Sequence, residues 1–356
     1  MPRPRTVLFG GYAPVHFVCF RPIYEALRKV PGVEVYLTGG KRSERNGKTL
    51  FDPKALYRPF GVPPGRILTV KQIARRDFDM TFSAHTAGFF PRRTKTRIQV
   101  FHGLSFRNLG IREDQKRYDA LLTAGPYMMR GFRKLGIPRR KTLPVGFVKM
   151  DCLRDGSLDR AAILKEIGFR GDRPVLLYAP TGDRKNSLET MGEEVIRRIK
   201  AAGRWDLMIK LHDHPKDAET NWPGRLRRHL GPHVKLVKGF NVCPYLFVAD
   251  LLISDASSVA SEYSLMDRPM IFLDVPGLIA RARKRGGMVD LRTWGRRGGV
   301  TVRRPAQAVV AIRKALANPG RGGRIRRAMA RDLFFDPGHA TDRAVAWILK
   351  KLGVRR

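Results

Sequence analysis

The chain has 356 residues, 43% of them hydrophobic, which is too much apolar material for one small core and suits two α/β domains rather than a disordered protein. Its 70 Lys+Arg against 31 Asp+Glu give a formal charge of +39, which draws the chain to polyanions: nucleic acid, an anionic membrane face or a phosphate-rich substrate. The 3 cysteines, Cys19, Cys152 and Cys243, lie too far apart to encode a disulfide framework or a zinc site, and a reducing cytoplasm is their natural compartment.

The start, "MPRPRTVLFGGYAP", breaks its apolar run with glycine and proline too soon for a cleaved signal peptide. No apolar stretch reaches the roughly 20 residues that span a bilayer, so membrane contact is expected to be peripheral. "TVLFGG" reads as a buried strand, and the segment after it carries Phe17, Phe20, Tyr24 and Leu27 at helical spacing. "VEVYLTGG" supplies a second strand and completes a β-α-β opening. The intervening "GGYAPVH" is not a dinucleotide fingerprint. Further strands are expected at "FDMTFSA", "TRIQVFHG" and "DALLTAG", with "RPFGVPPGRI" as loop.

The alternation weakens around Pro144 to Arg173, where a domain boundary is expected, with 1–150 on one side and 151–340 on the other. From "RPVLLYAPTGD" it resumes: helix "SLETMGEEVIRRIKAAG", strands "DLMIKLHDHP" and "VKLVKG", helix "VCPYLFVA", strand "LLISDASS", helix "VASEYSLMD" and strand "PMIFLDV". Residues 341–356 form an amphipathic helix, with Val345, Ile348, Leu349 and Leu352 on one face, expected to pack back towards the N-terminal domain. The fold class is therefore α/β and GT-B-like: two Rossmann-like domains with parallel sheets facing a central cleft.

In open parallel sheets, ligands collect beyond the carboxyl ends of the strands, so the polar residues that follow each apolar run carry the chemistry. His102 follows "RIQVF", and Gly103 beside it permits close approach; the histidine is either a general base or an ordinary loop residue. "KLHDHP" sets His212, Asp213 and His214 after a strand. No third metal ligand stands at a convincing spacing and Pro215 turns the chain, so a phosphate-facing His214 is preferred to a metal. In "SDASSVASEYSLMDRPMIF", Asp255 ends a strand, Ser257 and Ser258 precede a helix whose N-terminus favours phosphate, and Glu262 lies one turn in, where it can take ribose hydroxyls. Helix capping by Asp255 or Ser257 is compatible with that reading. "YAPTGDRK" adds Thr181 and Gly182 as amide donors, with Arg184 and Lys185 as nearby cations.

Taken in order, "QVFHGLSFRNLG", "LLYAPTGDRK", "IKLHDHP", "LLISDASSVASEYSLMDRPMIFLD" and "FFDPGHATDRAV" resemble the CDP-glycerol glycerophosphotransferase family, the primases and polymerases of teichoic acid synthesis. The resemblance runs from about residue 95 to 345, and its most specific part is the serine block followed by "DRPMIF". It implies a membrane-peripheral transferase on the inner face of the cell membrane. Glycerol phosphate, or a related polyol phosphate, would move from CDP-glycerol to a lipid-linked cell-envelope acceptor with release of CMP and no required cofactor. It further implies His102 as base, His214 as stabiliser of the phosphate under attack, and Asp255, Ser257 and Ser258 at the nucleotide end, with the N-terminal domain on the acceptor and membrane side. The sequence departs from the family where tryptophan is usual and Phe101 stands, where "T-P-L-K" reads Leu104 to Arg107, where the tyrosine after the aspartate is Ala256, and where "T-W-R" appears as "T-G-D-R".

A second reading keeps the GT-B fold for a glycosyltransferase or nucleotide-sugar 2-epimerase, which needs cleft carboxylates, and only Asp255 and Glu262 are well placed. A third, nucleic-acid binding, rests on +39 and on the segments "ARARKRGG", "WGRRGG" and "GRGGRIRRAMAR". These lack aromatic interleaving beyond Trp294 and any known binding module, so no specific nucleic acid is expected. The helix "FRPIYEALRKV" and Arg281, Arg283 and Arg285 are the candidate contacts to an anionic leaflet.

Overall fold

The computed structural model describes residues 3–45, 48–84, 89, 91–104, 111–212, 220–284 and 294–354. His214, Asp213, Arg285 and the Ser105 to Arg107 departure lie outside the described residues. The chain divides into two compact units: Met1–His102 with Gly110–Asp151 and Asp332–Arg356, and Gly103–Leu109 with Cys152–Arg331.

The first unit is built on strands β1 (Arg5–Gly11), β2 (Val33–Gly39), β5 (Asp77–Ser83), β6 (Arg93–Gln99), β7 (Ala120–Thr123) and β8 (Thr142–Pro144). They form one sheet in the order β2-β1-β5-β6-β7-β8, and every pairing is parallel. A short antiparallel hairpin, β3 (Lys41–Arg45) with β4 (Lys48–Asp52), branches off after β2. The helix Pro14–Leu27 buries Phe17, Phe20, Tyr24 and Leu27, as the helical spacing predicts. Phe9 of β1 stacks on Phe20 and on Phe82 of β5 at centroid distances of 4.9 and 4.5 Å, so a three-ring layer joins helix to sheet. Each such buried ring contributes on the order of 1.5–3 kcal/mol. The helix Ala340–Leu352 sets Val345, Ile348, Leu349 and Leu352 into this same core.

Four devices fix the returning chain to the first unit. Gly125 lies where a side chain would meet the carbonyl of Leu333 at 2.4 Å, so only glycine lets 333–334 pass. Behind it, the Phe335 amide bonds the Ala124 carbonyl at 2.7 Å, and Arg130 grips Asp332 through two contacts of 2.7 and 2.6 Å. Asp151, buried, then accepts from the amides of Gly338, Ala340 and Thr341 and from the Thr341 hydroxyl, and so caps the last helix.

The second unit carries β9 (Val175–Tyr178), β10 (Asp206–Ile209), β11 (Val234–Leu236), β12 (Leu251–Ser254), β13 (Met270–Leu273) and β14 (Val300–Val302). Their order is β11-β10-β9-β12-β13-β14, again wholly parallel. Counted within the unit this is 3-2-1-4-5-6, the order of dinucleotide-binding sheets, and it reverses between β9 and β12. In the first unit the corresponding reversal falls between β1 and β5. Every one of the four central strands β9, β10, β12 and β13 is fully buried, which is why each reads as an unbroken apolar run.

Candidate active site

At the reversal of the second sheet, β9 and β12 end side by side and their loops are tied together by Asp255. This carboxylate is completely buried and both of its oxygens are used. Oδ1 accepts from the Thr181 amide at 2.9 Å and from the Ala256 amide; Oδ2 accepts from the Ser187 amide at 2.9 Å and the Ser187 hydroxyl at 2.8 Å. Asp255 thus turns its charge towards the 181–187 loop. Its role in the geometry is to hold that loop, and the helix-capping alternative, in which its side chain would cap Val259–Tyr263, is not what it does. Tyr178 extends the network, its hydroxyl 2.8 Å from Ser187 Oγ. Burial first, and the nearby Asp255 charge second, push the Tyr178 phenol well above its ordinary value, so it remains a neutral hydrogen-bonding group. A Cβ at Gly192 would stand 2.2 Å from the Tyr178 hydroxyl, and the helix there opens with a π turn, Leu188–Gly192. The expected helix from Ser187 is present, but its first turn is widened around the tyrosine.

The loop so held presents Thr181 and Gly182 buried and Arg184 and Lys185 exposed. Lys185 adopts a left-handed φ of 61° and its amide bonds Glu189 at 2.6 Å. Across the reversal, Ser257 is buried and its Oγ accepts weakly from the Val259 amide at 3.4 Å, while Ser258 stands at the N-cap with no capping bond from its side chain. Glu262 is fully buried in the first turn. Gly103 belongs to this group: a Cβ there would lie 2.8 Å from Ser258 Oγ and 3.7 Å from Glu262 Oε1. Glycine after His102 is therefore required by the backbone's passage over the serine and the carboxylate. At the end of β10, Lys210 is buried and its ammonium bonds the Leu211 carbonyl at 2.8 Å. Sequence reasoning passed over this lysine, although a cation closing an otherwise apolar strand is a readable signal. His212 is exposed beyond it.

His102 lies in the first unit, past the end of β6. Its Nδ1 is 3.0 Å from the carbonyl of Ala84, just past β5. A carbonyl can only accept, so Nδ1 carries the proton and Nε2 is the basic nitrogen of the neutral ring. The ring is exposed, while Phe101 before it is buried and packs on Phe132 at 5.6 Å. Phe101, the residue where a tryptophan is usual, is therefore an anchor of the loop. Among the described residues, no group of three or more His, Cys, Asp or Glu side chains is arranged to hold a metal ion.

Residues 64–350 match the profile of the family described as CDP-glycerol:poly(glycerophosphate) glycerophosphotransferase. The chain belongs to that family. The match takes in every site residue named above, from His102 to Glu262. Among the glycerophosphotransferase relatives, the teichoic acid poly(glycerol phosphate) polymerase of Bacillus subtilis (strain 168) is 23% identical over 355 residues, 88% of this chain and 44% of that protein. The chain spans less than half the length of the curated relatives it matches. A solved structure of the wall teichoic acid polymerase TagF, a histidine-to-alanine variant, superposes with a TM-score of 0.70 at 18% identity, over 98% of this chain and 90% of that chain. A putative UDP-N-acetylglucosamine 2-epimerase from Listeria monocytogenes shares the fold at a TM-score of 0.63 and 14% identity, over 99% and 98% of the two chains. The chain thus has the GT-B-like α/β fold, with two Rossmann-like units.

Proposed function

We propose that this chain transfers glycerol phosphate, or a related polyol phosphate, from CDP-glycerol to a hydroxyl of a lipid-linked cell-envelope acceptor and releases CMP. The observation that carries the reading is the family match over residues 64–350, which includes a histidine whose Nδ1 is committed to a carbonyl and whose Nε2 is its basic nitrogen. In this reading His102 Nε2 removes the acceptor's hydroxyl proton as its oxygen attacks the β-phosphorus. The bond from that phosphorus to the bridging oxygen breaks, and CMP departs with the oxygen. The Gly182 amide and the hydroxyls of Ser257 and Ser258 take the donor's phosphates, Arg184 neutralises them, and Glu262 holds the ribose; the Thr181 amide, expected from the sequence as a second donor, is instead spent on Asp255 Oδ1 at 2.9 Å. His214 stabilises the phosphoryl oxygens. Asp255 contributes by fixing the 181–187 loop.

The second unit is the nucleotide-donor domain in this scheme and the first is the acceptor and membrane side. No described helix is long and apolar enough to cross a membrane. Contact with an anionic leaflet is assigned to basic surfaces, among them Arg283 and Lys284, which are exposed at the end of the helix Pro276–Lys284.

The test is CMP release from CDP-glycerol beside other CDP- and UDP-linked donors, with and without a lipid-linked acceptor extract. Acceptor-dependent release from a CDP-polyol supports the proposal. Acceptor-independent turnover of a UDP-sugar would instead favour the 2-epimerase reading.

A further inference from the structure

The sheet reversal of the first unit lies between β1 and β5, where a doubly wound sheet gathers its ligand-side residues. His102 meets Ala84 past the end of β5, and a second histidine approaches from the end of β1. This is His16, in the first turn of the helix Pro14–Leu27 and almost wholly buried. Its ring centroid is 5.2 Å from that of His102, with the planes tilted by 54°.

The way the chain holds His16 is specific. Its Nδ1 accepts the amide of Tyr12 at 3.2 Å, four residues back. The imidazole reaches back to the backbone as the Glu or Gln of a capping box does, and it satisfies an amide ahead of the helix. Accepting at Nδ1 requires a lone pair there, so the neutral ring carries its proton on Nε2. The Tyr12 ring packs edge-on against the His16 imidazole, its centroid 4.5 Å away. Gly11 is the residue that makes room, since a Cβ there would lie 2.8 Å from His16 Cβ. The two imidazoles are therefore fixed in opposite tautomers: His102 protonated at Nδ1 and His16 at Nε2.

We infer that His16 is a positioning residue for His102, its buried ring holding the His102 imidazole in the orientation that keeps Nδ1 on the Ala84 carbonyl and makes Nε2 the proton acceptor. The inference rests on the reading of His102 as the base of the transferase. A residue that only capped the helix would need an acceptor atom at position 16 and no ring; a residue that positions His102 needs the ring.

Two variants of the full chain separate these roles. His16→Gln keeps an acceptor for the Tyr12 amide and removes the ring; His16→Phe keeps a ring and removes the acceptor. The direct readout is the ring ¹⁵N spectrum of histidine-labelled protein at about pH 8, above the ordinary histidine range, with His102 assigned by its loss in His102→Gln. The native protein is expected to show a proton on Nδ1 of His102 and a proton–proton contact between the two rings. His16→Phe is expected to keep the His102 tautomer with a lowered melting temperature. His16→Gln is expected to melt near the native value, to show mixed His102 tautomers, and to lose about 10- to 100-fold in kcat for acceptor-dependent CMP release. Its donor KM is expected to stay within about twofold. A native His102 protonated at Nε2, no contact between the rings, or a His16→Gln protein with native tautomer and native kcat would each overturn the inference. If the native protein turns over no donor, the transferase reading fails on its own, and the tautomer spectra still decide whether His16 positions His102.

Discussion

Asp255 is where the account makes its most quantitative demand. Asp255→Ala removes four hydrogen bonds to a fully buried carboxylate and leaves the amides of Thr181 and Ser187 facing the gap. A hydrogen bond to a charged group contributes about 1.5–3 kcal/mol, and each buried donor left unmade costs about 1–3 kcal/mol. These overlap, and removal of one partner of a buried charged network costs about 3–5 kcal/mol in total. That range is the expectation for Asp255→Ala. Asp255→Asn keeps Oδ1 for Thr181 and Ala256 but, in that same orientation, points an NH₂ at the Ser187 amide, so donor meets donor; about 2–3 kcal/mol is expected. The assay is urea unfolding followed by tryptophan fluorescence, since Trp205 and Trp222 are both buried in the second unit. Binding of CMP, measured below the unfolding transition, is expected to fall in both variants because the loop amides lose their fixed aim. An Asp255→Ala protein within about 1 kcal/mol of the native one, or an Asp255→Asn protein that unfolds and binds CMP normally, would refute the argument that this carboxylate organises the loop.

Other perturbations test separate parts of the structure. Asp151→Ala should cost about 2–4 kcal/mol by stripping the acceptors from Gly338, Ala340 and Thr341, and limited proteolysis should then cut ahead of the helix Ala340–Leu352. Gly103→Ala should lower the melting temperature through its contact with Ser258, and the added change Ser258→Gly should recover most of the loss, read by calorimetry. Burial would raise the Glu193 carboxyl, but its bonds to Arg228, His229 and Arg225 outweigh that and bring it down to about 2. A depressed carboxylate stabilises the fold above its unfolded value of about 4.3 and loses that contribution as pH falls towards 2, so Glu193→Gln should flatten the acid limb of the stability profile over that window. If Arg283 and Lys284 meet an anionic leaflet at about 1 kcal/mol each, changing both to Gln should weaken binding to phosphatidylserine vesicles about 30-fold; undiminished binding would remove this patch as a contact.

Periodicity served best where a single physical force acts. Phe17, Phe20, Tyr24 and Leu27, or the runs "VLLY" and "LLIS", are apolar because both sides of a parallel sheet are covered, and that pattern survives in a lone sequence. The hairpin of β3 and β4 escaped notice, although Asn46-Gly47 is the strongest short hairpin signal in the chain. The short strands β8 and β14, three residues each, escaped notice, whereas the equally short β11 was found within the longer run "VKLVKG". At the site, the strand-end rule picked out His102, Thr181, Asp255, Ser257, Ser258 and Glu262. It did not reveal that Asp255 spends its charge on protein amides, because which groups a carboxylate meets across 68 to 74 residues of chain depends on sheet order. His16 was hidden for a related reason: it reads as one more position on an amphipathic helix until β1, β5 and β6 are set beside one another.

The central claim is that His102 takes the proton of an acceptor hydroxyl. The most direct test is CMP release from CDP-glycerol by the native chain and by His102→Ala, each with and without a lipid-linked acceptor, beside a binding measurement that shows the donor still bound. The account predicts acceptor-dependent release that falls by at least about 100-fold in the variant while donor affinity is retained. Release that persists in His102→Ala at the native rate would contradict it and move the base elsewhere.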